Sequence, residues 1–249
     1  MNEIIKQLYE RKSVRVFTEQ EIDEAIVQEI LTSAVMAPTA GNMQLYTILR
    51  ISDPEILEKL SELCDHQPFI AKGKLVLLFL ADYKKWYDAF RLAGCNVRAP
   101  GEGDLILAID DAVIAAQNAV VAAQSYGIGS CYIGDVMENM EELRSLLDLP
   151  EYVFPAALLV FGYPTEQQKE RPKPERSMAH MVHENKYQIL DADAIKEQLS
   201  GKTGGKDYEE WIRAFCKRKY DSDFSIEMTR SVREYLKQWS DDQQNDIPR

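Results

Sequence analysis

Apolar residues at helical spacing predict a helix in the first part of the chain. Thr18 and Glu21 match a capping box, which places the helix start near residue 18, and Pro38 places its end. The predicted apolar face consists of Ile22, Ile26, Ile30, Leu31 and Ala34.

Four other segments have the pattern of β-strands. QLYTILRI (44–51) and FPAALLVFGYP (154–164) are rich in β-favouring residues, and a short strand is predicted within GIGSCYIGD (127–135). KLVLLFLAD (74–82) is nearly continuous in apolar residues, which is typical of a central strand covered on both faces.

The segment IDDAVIAAQNAVVAAQSY (109–126) is apolar around most of its circumference and predicts a helix buried on several sides. MENMEELRSLLDL (137–149) predicts an amphipathic helix, and the polar, proline-rich TEQQKERPKPERS (165–177) predicts a loop. This order of elements lacks strict βαβ alternation and predicts an α+β layered sandwich.

Composition narrows the possible functions. The formal net charge of −12 argues against a nucleic-acid-binding protein, which needs a basic face for the phosphates. No uninterrupted apolar run approaches the length of a membrane span, and the N-terminus lacks the apolar region of a signal peptide, so we expect a cytoplasmic protein. The four cysteines form no C-x-x-C pair, and His180 and His183 have no neighbouring ligands, so we predict no metal site.

The sequence has no motif for catalysis by side chains. It contains no G-x-S-x-G elbow and no H-E-x-x-H. SGKTGGKD (200–207) lacks the order of a phosphate-binding loop and does not follow an apolar strand, so a surface loop is the simpler interpretation.

Two basic segments stand out in this acidic chain. RKSVR (11–15) taken alone is explained by cations that complement the dipole of a first helix. RPKPER (171–176) holds three more cations at proline-stiffened positions, and two such loops together favour a shared phosphate ligand. We therefore hypothesise a phosphate-bearing cofactor.

Three segments rich in amide and small side chains suit a planar heterocycle with many hydrogen-bonding edges: APTAGNMQ (37–44), CDHQPF (64–69) and GSCYIGD (129–135). Taken alone, each is more simply explained as a turn, a loop or a strand end.

Taken in order, RKSVRVF, APTAGNMQ, CDHQPFIAK, DDAVIAAQNAVVAAQSYGIGSCYIG and RPKPERSMAHMVHENKY resemble the FMN-dependent nitroreductase family, in particular its larger NAD(P)H-dependent nitro and flavin reductases. The resemblance implies a mixed, mainly antiparallel sheet flanked by helices. It also implies a nitroreductase core over residues 1–190 and a C-terminal helical extension, 191–249, that wraps the partner of a homodimer.

The resemblance also implies cofactor-binding residues. The phosphate and ribityl chain of FMN would be held by Arg11, Lys12, Ser13 and Arg15, and by Lys173 and Arg176 with Arg171 as the alternative. The flavin ring would contact Thr39, Ala40, Asn42, Gln44, Gln67, Tyr132, Ile133 and Gly134. Asp135 stands where many members have glycine, so its contact is left open.

The implied activity is hydride transfer from NADPH or NADH through FMN to a small-molecule acceptor, such as a nitroaromatic, a quinone or a flavin, in a ping-pong scheme with no obligate catalytic side chain. The alternatives are a flavin-binding sensor or carrier with little turnover, and another flavin enzyme on this fold, such as a dehalogenase. Lys202 and Lys206 are candidates for admitting the nucleotide.

Overall fold

The computed structural model describes residues 1–173, 176 and 178–240. A four-stranded sheet lies at its centre, with the strand order β1-β2-β4-β3 and antiparallel pairing between all neighbours. The strands are β1 (Tyr46–Ile51), β2 (Leu75–Asp82), β3 (Gly129–Ile133) and β4 (Val153–Gly162).

Ten α-helices are present among the described residues. Seven of them belong to the part of the chain that builds the sheet: α1 (Glu3–Glu10), α2 (Glu24–Val35), α3 (Pro54–Leu63), α4 (Lys84–Leu92), α5 (Glu102–Ser125), α6 (Met140–Leu146) and α7 (Glu166–Glu170). The remaining three follow near the C-terminus: α8 (Ala192–Ser200), α9 (Tyr208–Lys219) and α10 (Asp223–Leu236).

The sheet is covered on both faces. All eight residues of β2 are buried, as its continuous apolar run predicts. On one face, α2 and α5 pack against Leu77, Phe79 and Phe161, and on the other, α3 and α6 pack against Leu78 and Leu158. The predicted α+β layered sandwich with a mainly antiparallel sheet is therefore confirmed.

The predicted strand in 154–164 contains Pro155, which has no backbone N–H to donate. The structure accommodates it at an irregularity, because Phe79 pairs with Ala157 and Leu80 pairs with Pro155, which leaves Ala156 as an extra residue. This bulge interrupts the ladder of backbone hydrogen bonds between β2 and β4 at the position where proline has no N–H to donate.

Helix α5 is long and apolar enough to cross a membrane by length and composition alone, a test that the core helix of a soluble protein also passes. In this structure α5 packs in the core against α2 and the sheet. Its small residues Ala112, Ala115, Ala116 and Ala119 are completely buried and let α2 and the sheet approach closely.

Three local predictions were wrong. The Thr18–Glu21 pair does not cap α2, whose N-cap is Asp23, with a side chain that accepts a hydrogen bond from the N–H of Ala25 at 2.8 Å. The buried helix begins at Glu102 rather than near residue 109, and the polar segment 165–177 contains the short helix α7.

The contacts divide the chain into two compact units. Of the described residues, 1–170 and 227–240 form the first, and 171–173, 176 and 178–226 form the second. In the first unit, Tyr235 and Trp239 are completely buried in a cluster with Leu45 and Phe154. The chain therefore returns to the sheet-containing unit at its C-terminal end, while the predicted wrapping of a partner by residues 191–249 stays a prediction.

Candidate functional site

The basic segment 11–15 lies beside strand β3. The N–H of Val14 donates to the carbonyl of Ser130 at 3.0 Å, and Ser13 forms a parallel bridge with Ser130. Val14 is buried against Gly129, where an added Cβ would lie 2.6 Å from a methyl carbon of Val14. The glycine therefore permits the basic segment to approach the edge of the sheet.

The three cations of this segment have different surroundings. Lys12 Nζ donates to the carbonyl of Lys169 at 2.6 Å, and the Arg15 guanidinium lies 6.0 Å from the ring centroid of Phe69. Arg11 Nε is buried and finds no hydrogen-bond acceptor in the described part of the chain. A buried donor without an acceptor is costly, so Arg11 fits a site that an anionic ligand completes.

Strand β3 brings Cys131 and Tyr132 to these cations. Burial raises the pKa of the Cys131 thiol, and the positive charges of Arg15 and Arg11 oppose that rise. Burial likewise raises the pKa of Tyr132 to about 12 against the charge of Arg11. The Tyr132 hydroxyl lies 3.3 Å from Gln117 Oε1 on α5, to which it donates.

The loop after α3 joins the same cluster through Gln67. Its side-chain Nε2 donates to the carbonyl of Cys64 and to Asp135 Oδ2, both at 2.8 Å. A Cβ added at Gly134 would meet no atom within 4 Å among the described residues, so this backbone faces open space. The cluster thus combines a basic segment, an amide and an open glycine.

The turn at residues 39–44 is held by one buried carboxylate. Asp111 on α5 is 2% exposed, and its two oxygens accept from the N–H groups of Ala40 at 2.8 Å and Leu45 at 3.0 Å. Asn42 and Gln44 adopt left-handed backbone conformations, at φ 57° and 51°, and are exposed. The turn therefore presents two amide side chains to the surface from a fixed backbone.

Within one chain, the predicted residues fall into two groups along α5. Arg11 and Leu8 line a small cleft with Val120 and Gln124, and Tyr132 contacts Gln117, whereas the turn at 39–44 is tied to Asp111. At 1.5 Å per helical residue, Asp111 lies about 9 Å from Gln117 and about 14 Å from Val120 along the axis. The structure therefore places the basic segment and Tyr132 near one stretch of α5 and ties the turn to another, while Gln67 is joined to the end of β3 through Asp135.

Three other predicted residues, Ile133, Lys173 and Arg176, lie in different surroundings. The Ile133 side chain is buried in the core between β2, α3 and α6, so only its backbone can meet a ligand. Lys173 is half-buried and Arg176 is exposed, and both belong to the second compact unit. Pro174, Glu175 and Ser177 of the second basic loop lie outside the described residues, so its role in phosphate binding stays a prediction.

The donor set fits FMN. Arg11, with its unsatisfied Nε, and the Ser13 hydroxyl suit a phosphate, while the Gln67 amide and the open backbone at Gly134 suit a heterocycle with polar edges. In the described ranges, no group of three or more His, Cys, Asp or Glu residues is arranged to hold a metal ion.

Sequence reasoning missed Asp111. The helical spacing of Ala108, Asp111, Ala112 and Ala115 places this aspartate on the buried face of an alanine-rich helix. A carboxylate at such a position needs partners, and this signal was available in the sequence.

Known proteins resemble this chain over most of its length. Residues 8–163 match the model of the Nitroreductase family. The FMN reductase (NAD(P)H) of Bacillus subtilis (strain 168) is 31% identical over 236 residues, which cover 88% of this chain and 93% of that protein. The Cr(VI) reductase of Pseudomonas sp. (strain G-1) is 30% identical over 243 residues, covering 94% and 97%. The solved structure of B. megaterium NfrA2 has a TM-score of 0.81 at 30% identity, covering 94% of this chain and 98% of that one.

Proposed function

Because this chain belongs to the nitroreductase family, we propose that it is an FMN-dependent NAD(P)H oxidoreductase that reduces small-molecule acceptors. The similar proteins named FMN reductase and Cr(VI) reductase support this activity. In the chain itself, the observation that carries the proposal is the unsatisfied Nε of Arg11 in the segment that lies beside β3, together with the Gln67 amide and the open backbone of Gly134 at the end of that strand.

The basic segment would hold the phosphate and ribityl chain of FMN. Arg11 offers a buried guanidinium N–H that no acceptor among the described residues satisfies. Ser13, whose backbone forms a bridge with Ser130, offers a hydroxyl group. Lys12 is anchored on the carbonyl of Lys169 and supplies positive charge. Lys173 and Arg176 are proposed as the second half of this clamp, because paired guanidinium and ammonium groups neutralise a phosphate efficiently.

The ring of FMN would contact the backbone of residues 132–134 and the amide of Gln67. The chemistry supplied with FMN is the acceptance of a hydride from the nicotinamide and its transfer to a second substrate. The chain then has to orient the ring, exclude water from one face and leave the other face open. This explains why the sequence contains no motif for nucleophilic or acid–base catalysis.

A homodimer would complete the site. The turn at 39–44 lies apart from the basic cluster within one chain, so a second copy would supply Thr39, Ala40, Asn42 and Gln44 across an interface. Exposed apolar residues on α1 and α5 support such an interface: Ile4, Leu8 and Tyr9, and Ile106, Leu107, Val113 and Ile114. Light scattering at micromolar concentration is expected to give a dimer, and a uniform monomer contradicts this arrangement.

Anaerobic stopped-flow absorption tests the proposed activity. Mixing the FMN-loaded protein with NADPH, and separately with NADH, is expected to bleach the oxidised flavin band within seconds. A nitroaromatic, a quinone or free FMN added afterwards is expected to restore the band of the bound flavin. If neither nucleotide bleaches the band, the protein is a flavin carrier or sensor instead. Bleaching without reoxidation by these acceptors favours a different flavin enzyme, such as a dehalogenase.

We also propose a cytoplasmic location, where NADPH and NADH are available.

Lys202 and Lys206 are exposed in the turn between α8 and α9, and their charges suit a nucleotide phosphate. Changing both to alanine is expected to raise the KM for the nucleotide, and an unchanged KM removes them from nucleotide binding.

A further inference from the structure

Helix α6 takes the caps of its first turn from a distant part of the chain. Its N-cap residue Asn139 has a left-handed backbone, at φ 50° and ψ 50°, and within residues 134–146, which the structure describes, its side chain caps no backbone N–H. The side-chain amide instead donates to the carbonyl of Leu63 at the end of α3, at 2.8 Å. Because the first N–H groups of a helix have no acceptor inside the helix, α6 needs acceptors from elsewhere.

Helix α10 supplies these acceptors. The N–H of Asn139 donates to Glu227 Oε1 at 3.2 Å, and the N–H of Met140 donates to the Ser231 hydroxyl at 3.0 Å, across 88 and 91 positions of the sequence. Ser231 is completely buried, and its hydroxyl donates in turn to Glu227 Oε1 at 2.8 Å. The carboxylate of Glu227 therefore binds one backbone N–H directly and orients the hydroxyl that caps the next.

Arg230 adds ion pairs to this junction. Its guanidinium donates to Glu227 and also to Glu141 on α6, at 2.8 Å in each case. Hydrogen bonds from Arg230, from Ser231 and from the Asn139 N–H lower the pKa of Glu227 to about 2 although burial opposes this, so Glu227 is an ionised acceptor at neutral pH. The Arg230 side chain is 44% exposed, and exposed ion pairs contribute little. The hold on α6 therefore depends chiefly on the two backbone N–H groups.

The junction lies at the far end of the turn that follows β3. The short turn Asp135–Met137 links Asn139 to Gly134, and the N–H of Met137 donates to the carbonyl of Gly134 at 3.1 Å. This local bond shapes the turn, whereas the contacts of Asn139 with α3 and α10 hold its end in place. A displacement of Asn139 is therefore expected to move the backbone of Gly134.

We propose that Glu227 and Ser231 are positioning residues of the flavin site, through which α10 caps α6 and holds the backbone of Gly134 where FMN binds. The proposal rests on the proposed function, because it assumes that FMN lies beside Gly134. When the cap is lost, the turn is correctly formed in only a fraction of the molecules, and the apparent dissociation constant rises in inverse proportion to that fraction.

The test is a flavin-fluorescence titration of the full-length protein with FMN, at a temperature where circular dichroism shows each variant to be folded. Glu227→Ala removes the acceptor and is expected to raise the dissociation constant about three- to tenfold, the effect of one lost hydrogen bond. Glu227→Gln loses the charge that pairs with Arg230 but keeps an oxygen that can accept from Asn139 and Ser231. Its dissociation constant is expected to stay within about twofold of wild type.

Asp23→Ala is the matched control for a general loss of stability. It removes the side chain that caps α2 through the N–H of Ala25, and α2 packs on the opposite face of the sheet from α3 and α6. This variant is expected to unfold at lower urea, as Glu227→Ala does, but to bind FMN within about twofold of wild type. The visible circular dichroism of the bound flavin, which reports the surroundings of the ring, is expected to change in Glu227→Ala and not in Asp23→Ala.

The outcomes separate the two proposals. If the wild-type protein binds no FMN, the proposed function fails. If wild type binds FMN and Glu227→Ala binds it as tightly, the positioning proposal is overturned and the function stands. Equal weakening in Glu227→Ala and Glu227→Gln shows that the ion pair with Arg230 matters instead of the cap, and equal weakening in Asp23→Ala shows a general loss of stability; either result overturns the proposal. Should Glu227→Ala not fold, Ser231→Ala decides, because an unchanged dissociation constant without the hydroxyl that caps Met140 overturns the proposal.

Discussion

Replacing Asp111 by asparagine tests how the turn at residues 39–44 is held. The Asp111 carboxylate accepts from the N–H groups of Ala40 and Leu45, at 2.8 and 3.0 Å, across a stretch of 71 and 66 residues. The side chain is 2% exposed, so water cannot replace either bond. The turn is therefore expected to depend on both oxygens of this one group.

The size of the effect follows from the chemistry of the amide. Asparagine keeps one acceptor oxygen but turns its NH₂ toward the second backbone N–H, so one charge-assisted bond is lost and a buried donor is left without a partner. A hydrogen bond to a charged group contributes about 1.5–3 kcal/mol, and an unsatisfied buried donor costs about 1–3 kcal/mol. We expect Asp111→Asn to lower the free energy of unfolding by about 2.5–6 kcal/mol, the sum of the two contributions.

Urea denaturation followed by circular dichroism, at one fixed protein concentration, measures this change. Asp110→Asn is the matched control, because the neighbouring aspartate is exposed and the substitution removes the same charge. Its effect is expected to stay within about 0.5 kcal/mol. Asp111→Asn is also expected to weaken FMN binding through the loosened turn. Equal unfolding midpoints for the two variants would refute the reasoning.

Three further predictions concern other parts of the first unit. Replacing Arg11 and Arg15 together by alanine is expected to give a folded protein that purifies without flavin absorbance. If this variant binds FMN as tightly as wild type, the two cations only complement the helix dipole. Trp239→Ala empties a completely buried position in edge-to-face contact with Tyr152, at a centroid distance of 5.5 Å, and is expected to cost about 3–5 kcal/mol in urea denaturation, with a loss below about 1 kcal/mol contradicting it. Burial opposes ionisation of Asp104, but hydrogen bonds from Arg98 and the Gly101 N–H lower its pKa below the usual 3.8. The ionised carboxylate therefore stabilises the fold above that pH, and this contribution is lost as the pH falls through the folded-state pKa. Acid unfolding of Asp104→Asn is expected to depend less on pH below about 4 than that of wild type, and parallel curves for the two proteins contradict this.

The fold was largely predictable because its signals are local. The apolar run of β2 indicates a strand buried on both faces whatever its neighbours are, and the alanine-rich stretch of α5 indicates a helix in close contact with other elements. The start of α2 was not predicted, because Thr18 and Asp23 both have suitable capping side chains. The backbone hydrogen bond from Thr18 to Tyr163 keeps the first of these in extended structure.

The family could also be inferred from the sequence, since five short motifs in order are specific in a way that no single motif is, and the match over residues 8–163 confirms it. The residues of the basic segment were recognisable for the same reason. The different surroundings of these residues could not be predicted, because the acceptor of Lys12 is the carbonyl of Lys169, 157 positions away.

The sequence by itself predicted the central strands, the buried alanine-rich helix, the α+β layered class and a phosphate-bearing ligand, because periodicity, charge and short motifs depend on neighbouring residues. Only the tertiary structure decided which polar groups form hydrogen bonds with one another. Gln67 meets Asp135 across 68 residues, and Asp111 reaches the turn at 39–44 across about as many. Such contacts depend on how the layers pack, and a buried carboxyl acquires its protonation state only from the groups that the fold places around it.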